Sequence, residues 1–449
     1  MSMGIRVGLV SLGCAKNLVD SEIALGYLHD AGFEIETNPA RAEVLIVNTC
    51  GFIEAAKEES IAAIFEMAEY KKTGVCRCLV VSGCLSKRYQ DALWEEIPEI
   101  DAVLGTREMD LIPEVIARVL KGERVRLVRD QHFAYDQPEV PRIVSTGRHS
   151  AYLKIAEGCS HSCAFCAIPL IRGPYRSRDL RALVREAEWL AAGGVKELNI
   201  IAQDTTRYGR DLEPKSSLEL LLRELVQLNI PWIRILYAYP ATLNDSLLDL
   251  MVEHRNLLPY IDLPLQHAAE SVLKRMHRPG NFDNYLGLIE RIRNKLAQAT
   301  IRSSFIVGFP GESEAEFEAL LKFLRAAQLD RCGIFEYSAE EGTPAASLMN
   351  QINGVIKKER YHRAMSLQQQ IALNKQQQLL GKTLQVLVEG RSSESDLVLV
   401  GRHQGQAPDV DGVVYLGNNQ VQIGDFVNVR ITQVHPYDLV GEIREGDVN

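Results

Sequence analysis

The sequence predicts a multidomain α/β protein in three parts. These are an N-terminal parallel α/β domain, a central partial (βα)6 TIM-like barrel, and a C-terminal all-β, OB-like barrel. Three patterns predict it. Over residues 1–135, an apolar strand, a cysteine and a helix succeed one another three times. Over 151–355, strand and helix patterns alternate six times. Over 381–449, five short β-type runs are divided by turn residues. Pro138 and Pro141 with polar neighbours mark a linker at 136–150, and a helix at 356–380 joins the last two parts.

The chain has 449 residues, 46% hydrophobic and 24% charged, with a net charge of −9. That length suits about two to four domains. The negative balance opposes a general nucleic-acid binder. No apolar run reaches the ~18 residues that span a membrane. The N-terminus carries no charged stretch followed by an apolar one, so a cytoplasmic location is expected. There thiols stay reduced, and clustered cysteines read as metal or redox sites.

In the first part, Ile5–Val10 leads to Gly13-Cys14, Val44–Val47 to Asn48-Thr49-Cys50, and Leu79–Val81 to Ser82-Gly83-Cys84. Short, nearly continuous apolar runs between helices read as a parallel sheet. Ligands of such sheets sit beyond the carboxyl ends of the strands. Cys14, Cys50 and Cys84 are therefore expected to meet at one end of the domain. A lone cysteine is usually a small buried thiol, but three at one topological position point to a shared centre. Gly13, Gly51 and Gly83 suit close backbone approach. Cys76 and Cys78, at the start of their strand, and Cys332, within a later one, are expected to be structural.

The second part begins with a strand near 151–157 and the loop Glu157-Gly158-Cys159-Ser160-His161-Ser162-Cys163-Ala164-Phe165-Cys166. Three thiolates on one short loop can converge on one metal centre. Zinc draws four ligands, with His161 as the available fourth. An iron–sulfur cube takes four cysteines, and three leave one iron open.

The set Cys159, Cys163, Phe165 and Cys166 resembles the signature of the radical S-adenosylmethionine (SAM) enzymes. The resemblance implies a 4Fe–4S cluster whose open iron chelates SAM, and cleavage of SAM to a 5′-deoxyadenosyl radical. With the N-terminal trio, the chain is similar to the methylthiotransferases, which replace C–H by C–S–CH3. That family implies a second 4Fe–4S cluster on Cys14, Cys50 and Cys84, holding the sulfur to be transferred.

Further strands are expected near 197–203, 232–239, 260–265, 301–308 and 331–337, with helices such as 180–192 and 314–327 between them. Chemistry in such barrels sits at the carboxyl strand ends. Gly308 and Gly311 close the fifth strand, and Ser313 with Glu316 forms a capping box after them. This turn resembles a radical-SAM segment that seats SAM. Gly193, Gly194 and Glu197 look like the other SAM-side motif, with two residues between glycine and glutamate. The resemblance thus implies SAM contacts from Phe165, Gly193, Gly194, Glu197, Gln203, Gly308 and Gly311. Gln203, Asp204, Gln266 and His267, at strand ends, are expected to face the cavity or to be ordinary loop residues. Arg172, Arg176 and Arg178 are candidates for SAM or substrate carboxylate, or are simply solvated.

Lys357 to Leu380 reads as a helix stopped by Gly381. The β-type runs 384–389, 397–400, 413–416, 426–432 and 439–442 follow. This end resembles the TRAM domain of methylthiotransferases. From Lys382 onward five Lys/Arg stand against ten Asp/Glu. Such a balance repels phosphates and attracts a basic protein.

Ser11 to Glu22, Cys163 to Pro169 with Ile171-Arg172-Gly173, and Pro264 to Ala268 are very similar to the RimO branch, the ribosomal protein S-twelve methylthiotransferases. That likeness covers essentially the whole chain. It implies methylthiolation of the β-carbon of a loop aspartate, with SAM as both methyl donor and radical source. It also implies a low-potential electron donor. The acidic balance of the TRAM domain points to docking of that basic protein there, either free or on the small ribosomal subunit. The alternatives are a transfer-RNA adenosine methylthiotransferase of the same fold, and a non-catalytic iron–sulfur sensor.

Overall fold

The computed structural model describes residues 4–129, 135, 140–417 and 421–443. Pro138 and Arg444 lie outside the described residues. The first sheet holds six parallel strands: β1 (Arg6–Ser11), β2 (Glu34–Ile35), β3 (Val44–Thr49), β4 (Cys78–Gly83), β5 (Ala102–Leu104) and β6 (Val125–Leu127). Their order is β2-β1-β3-β4-β5-β6. Central β3 and β4 are buried along their whole length, because helices cover both faces. The strand order reverses between β1 and β3, so a crevice opens above that junction. The sequence pattern identified β1, β3 and β4; β2, β5 and β6, two or three residues each, are too short to carry one.

The second sheet comprises β7 (Ser150–Lys154), β10 (Glu197–Ile201), β11 (Trp232–Ile235), β12 (Leu257–Gln266), β13 (Thr300–Val307) and β14 (Arg331–Glu336), all parallel and in sequential order. It is an open (βα)6 barrel. The strand expected at 151–157 is two elements. β7 ends at Lys154, and β8 (Ala156–Glu157) turns away to pair antiparallel with β9 (Arg176–Ser177). The cysteine loop is thus tied off at its base. The third unit is a closed five-stranded barrel of β15 (Thr383–Arg391), β16 (Leu399–His403), β17 (Val414–Leu416), β18 (Phe426–Val434) and β19 (Leu439–Ile443).

Both connecting segments are held to the domains by their described residues. Arg142 is buried and binds Glu22 of the N-terminal domain and Glu186 of the barrel, at 2.9 and 2.6 Å. The helix Gly354–Gln377 lies along the barrel, with Arg360 on Glu312 at 3.2 Å and Arg363 on Glu314 at 2.7 Å. One apolar cluster runs through all three units, from Val19 and Ile23 through Tyr152, Leu236 and Tyr260 to Leu387 and Ala407. Among the described residues no helix is long and apolar enough to cross a membrane.

Candidate active site at two facing sheet ends

Cys14, Cys50 and Cys84 each follow a strand of the first sheet, at its carboxyl end. Two glycines let their loops touch. Gly13 has φ +88°, and a Cβ there would lie 2.9 Å from the Cys50 sulfur; a Cβ on Gly51 would lie 2.7 Å from the Leu85 backbone beside Cys84. Buried amides hold the loops still. Asn17 donates to Leu12 O at 2.6 Å, Asn48 donates to Asn17 O at 2.9 Å, and the Ser60 hydroxyl bonds both backbone groups of Cys50. Burial pushes the Cys50 thiol up and that of Cys84 up to about 12. Cys14 is exposed at the mouth of the trio; neighbouring protein atoms desolvate its thiol, but Lys16 and Arg172 outweigh this and hold it below its ordinary value.

The second trio lies on the loop after β8. Gly158 has φ +72° and lets the chain pass under Gly173, to which the Cys159 N–H donates at 3.0 Å. Ala164 joins the loop to the barrel by backbone bonds to Met276 and Ala345, at 3.0 and 2.8 Å. Burial raises the Cys159 thiol, and that of Cys166 up to about 12. The Arg278 guanidinium lies over the Tyr239 ring and 3.9 Å from the Cys163 sulfur.

His161 is committed elsewhere. Its Nε2 meets Asp204 at 2.7 Å, and its ring stacks on Tyr239 at 3.9 Å. Among the described residues, no three His, Cys, Asp or Glu converge on a single-ion site. A zinc held by His161 therefore lacks its geometry. A four-iron cube puts each thiolate on a different iron, and two cysteine trios without a fourth ligand fit such cubes with one iron open.

The two sheet ends face one another, and Arg172 joins them. Its guanidinium is fully buried. It reaches Cys84 Sγ at 3.4 Å, Asn17 at 3.2 Å, and Asp20 and Glu157 at 2.9 Å each. Lys154 binds the same two carboxylates, Asp20 by a short contact and Glu157 at 2.6 Å. Cys84 also packs directly on Ala167 and Ile171, beside the second trio.

The remaining sequence candidates divide. Phe165 packs with Phe309 and Tyr337, beside Gly308 and Gly311, which both have φ +72°. Gln203 is half-buried just past β10. These four share the carboxyl end of the barrel with the cysteine loop. Gly193, Gly194 and Glu197 do not: they end a helix and begin β10, at the amino end of the sheet. Glu197 is fully buried. It binds Arg234 at 2.8 Å, Arg402 at 2.5 Å and Ser150 at 3.0 Å, joining the two barrels. The glycine–glutamate likeness was local, and the strand end it occupies excludes it from the cavity.

Other expectations shift similarly. His267 is buried, its Nδ1 accepting the Ala269 N–H, and Asp204 is taken up by His161. Arg178 is buried on Lys154 O and Glu186, whereas Arg176 is exposed on β9. Cys76 and Cys78 are buried. Lys16, Tyr237, Tyr239 and Arg278 were not anticipated. Both tyrosines just follow β11, so the strand-end rule could have found them; nothing local marks Lys16.

Residues 153–324 match the Radical SAM superfamily, 6–105 the Uncharacterized protein family UPF0004, and 380–443 the TRAM domain. The fold resembles that of the radical S-adenosylmethionine methyltransferase TsrM from Kitasatospora setae, with a TM-score of 0.58 at 14% identity, over 82% of this chain and 89% of that one. The chain is 49% identical to the ribosomal protein uS12 methylthiotransferase RimO of Desulforamulus reducens, over 98% of this chain and 99% of that one. It is 47% identical to the protein of the same name from Pelobacter propionicus, over 98% of each. By this full-length likeness, the chain belongs to the RimO family of radical-SAM methylthiotransferases.

Proposed function

We propose that this chain adds a methylthio group to the β-carbon of a loop aspartate in ribosomal protein uS12, using SAM and two 4Fe–4S clusters. One cluster would be held by Cys159, Cys163 and Cys166, the other by Cys14, Cys50 and Cys84. The observation that carries the reading is the meeting of two cysteine trios at facing sheet ends, bridged by buried Arg172. When bound, the first cluster supplies the electron that cleaves SAM, and the second holds the sulfur that is transferred.

The chain's own residues position and enclose. We assign Phe165, Gln203, Gly308 and Gly311 to SAM, because they share the carboxyl end of the barrel with the first trio. Arg172, Asp20, Glu157 and Lys154 fix one cysteine loop against the other and exclude water. The electron enters from a low-potential donor. We assign docking of uS12 to the TRAM barrel, part of whose acidic count is spent inside the molecule. Of its acidic groups, Asp409 and Asp411 are bound inward by Tyr152 and Tyr260, at 2.6 Å each. The exposed Glu442 stands opposite Arg430 on the neighbouring strand.

The deciding measurement is the mass of uS12 from cells with and without this gene. A methylthio group on one aspartate, present only with the gene, is the expected result. An unchanged mass refutes the assignment and directs attention to transfer-RNA nucleosides. Within the protein, Cys163→Ala is expected to abolish SAM cleavage. Cys50→Ala is expected to stop transfer while SAM is still cleaved.

A further inference from the structure

Lys16 is a buried cation with no carboxylate of its own. It lies in the first turn of the helix Ala15–Asp30, two residues past Cys14, and is 5% exposed. Its ammonium sits over the Tyr237 ring, 2.9 Å from the centroid. Among the described residues it forms no ion pair. The nearby carboxylates are already committed. Asp262 binds Arg302 at 2.9 Å and the Tyr237 N–H at 3.0 Å, while Asp20 and Glu157 are shared by Lys154 and Arg172. Asp411 also meets Arg302, at 3.9 Å, so these carboxylates already face other cations, and the acidic group that bears most on Lys16 is Cys14.

Its place is as telling as its lack of a partner. Lys16 belongs to the N-terminal domain, yet it rests on a tyrosine at the carboxyl end of the barrel sheet. Tyr237 has φ +60°, and Gln266 on the next strand has φ +72°. Non-glycine residues hold that conformation only where the surroundings enforce it, and such positions cluster at ligand sites. A buried cation that meets no carboxylate is costly, and such a position suits a ligand that supplies one. Stacking on an aromatic face offsets part of that cost and fixes the ammonium's position.

Resting on the aspartate reading above, we infer that the Lys16 ammonium, seated on Tyr237, is the subsite for the side-chain carboxylate of the substrate aspartate. The carboxylate carbon is bonded directly to the reacting β-carbon. Anchoring it fixes which β-hydrogen faces the SAM side and which direction faces Cys14, Cys50 and Cys84. The subsite is thus shared between domains, and it forms only when both sheet ends are in register. The competing role for Lys16 is a counter-ion for the group held by Cys14, with no contact to substrate.

The test uses the full chain with both clusters reconstituted, iron per chain checked for every variant, and uS12 in two forms, unaltered or with its modified aspartate changed to asparagine. The dissociation constant is measured in the presence of SAM. Unaltered protein is expected to bind the asparagine form about tenfold more weakly, as for a lost charge-assisted hydrogen bond. Lys16→Gln is expected to weaken binding of normal uS12 by a similar factor and to be indifferent to the asparagine change; Lys16→Arg restores part of the difference. Tyr237→Leu, on the barrel side of the contact, gives a smaller loss in the same pattern and serves if Lys16→Gln does not retain iron. Equal weakening toward both forms of uS12 would make Lys16 a counter-ion only and overturn the inference, as would no weakening at all. Failure of unaltered protein to modify uS12 would instead overturn the parent reading.

Discussion

Changing Glu197 to Gln separates two roles that sequence and structure assign to one residue. The carboxylate is fully buried and is shared by Arg234 and Arg402, each with two contacts. Burial alone would raise its pKa, but the two guanidiniums, Arg402 foremost, hold it at about 2, from an ordinary 4.5. That difference corresponds to about 3 kcal/mol, at about 1.4 kcal/mol per unit. Because the folded-state value is depressed, this contribution is complete above pH 4.5 and is lost as pH falls through 2. At neutral pH the amide removes it and leaves two buried guanidiniums facing a neutral group, a loss of about 3–5 kcal/mol. The assay is thermal unfolding of the apo protein with limited proteolysis between the two barrels. The midpoint is expected to fall by about 5 °C or more, and the TRAM barrel to be released earlier. If Glu197 instead held SAM, the variant would keep its midpoint and lose SAM affinity; that result would refute its role between the barrels.

Two other perturbations follow from the same geometry. Gly83 has φ +101°, and a Cβ there would press 2.5 Å from the Thr49 carbonyl oxygen and on the Asn48 side chain. On the two-cluster proposal, Gly83→Ala is expected to displace Cys84 and to reduce bound iron from about eight to about four per chain, read by iron analysis; full iron content would refute it. His267 and His403 are both buried, each accepting a backbone N–H at Nδ1 and each held neutral by burial, near pKa 3 against 6.5. Their folded-state values are lowered, so stability is complete above pH 6.5 and falls as pH drops toward 3. At pH 5 the loss is about 2 kcal/mol each. Asparagine at both positions, whose side-chain oxygen can accept the same N–H, should remove about 4 kcal/mol of the fall between pH 7 and 5; an unchanged pH slope would refute the assignment.

The cysteine trios were legible because their chemistry is local to a strand end. A thiol directly after a buried strand of a parallel sheet has its position fixed by topology, whatever the loop does next. Cys14, Cys50 and Cys84 could therefore be grouped without knowing a distance. Glu197 was misread for the complementary reason: a glycine–glutamate pattern carries no information about which end of the strand it occupies. Charge counts are likewise blind to direction. The acidic excess after Lys382 includes Asp409 and Asp411, which are turned into the molecule. Arg172 looked like any loop arginine, and only the docking of one domain on another shows that it reaches Cys84. Lys16 and Tyr237 depend on the same docking and leave no periodic trace.

The buried ions between the domains make sense as a positioning device. Asp20, Glu157, Lys154 and Arg172 are all nearly inaccessible. A balanced set of this kind contributes little net stability over well-packed apolar side chains. It does impose directions that apolar packing cannot, because each carboxylate must meet two cations at hydrogen-bond distance. Asp20 comes from the first helix of the N-terminal domain, Lys154 and Glu157 from the strand run before Cys159, and Arg172 from the turn after Cys166. A shift of either domain by an ångström would break several of these contacts at once and leave a buried charge unpaired. The pairing therefore sets the separation of the two cysteine trios more sharply than the apolar contacts of Cys84 with Ala167 and Ile171 could alone. Transfer between the two proposed centres would need that separation held, which accounts for charge rather than apolar surface at the junction.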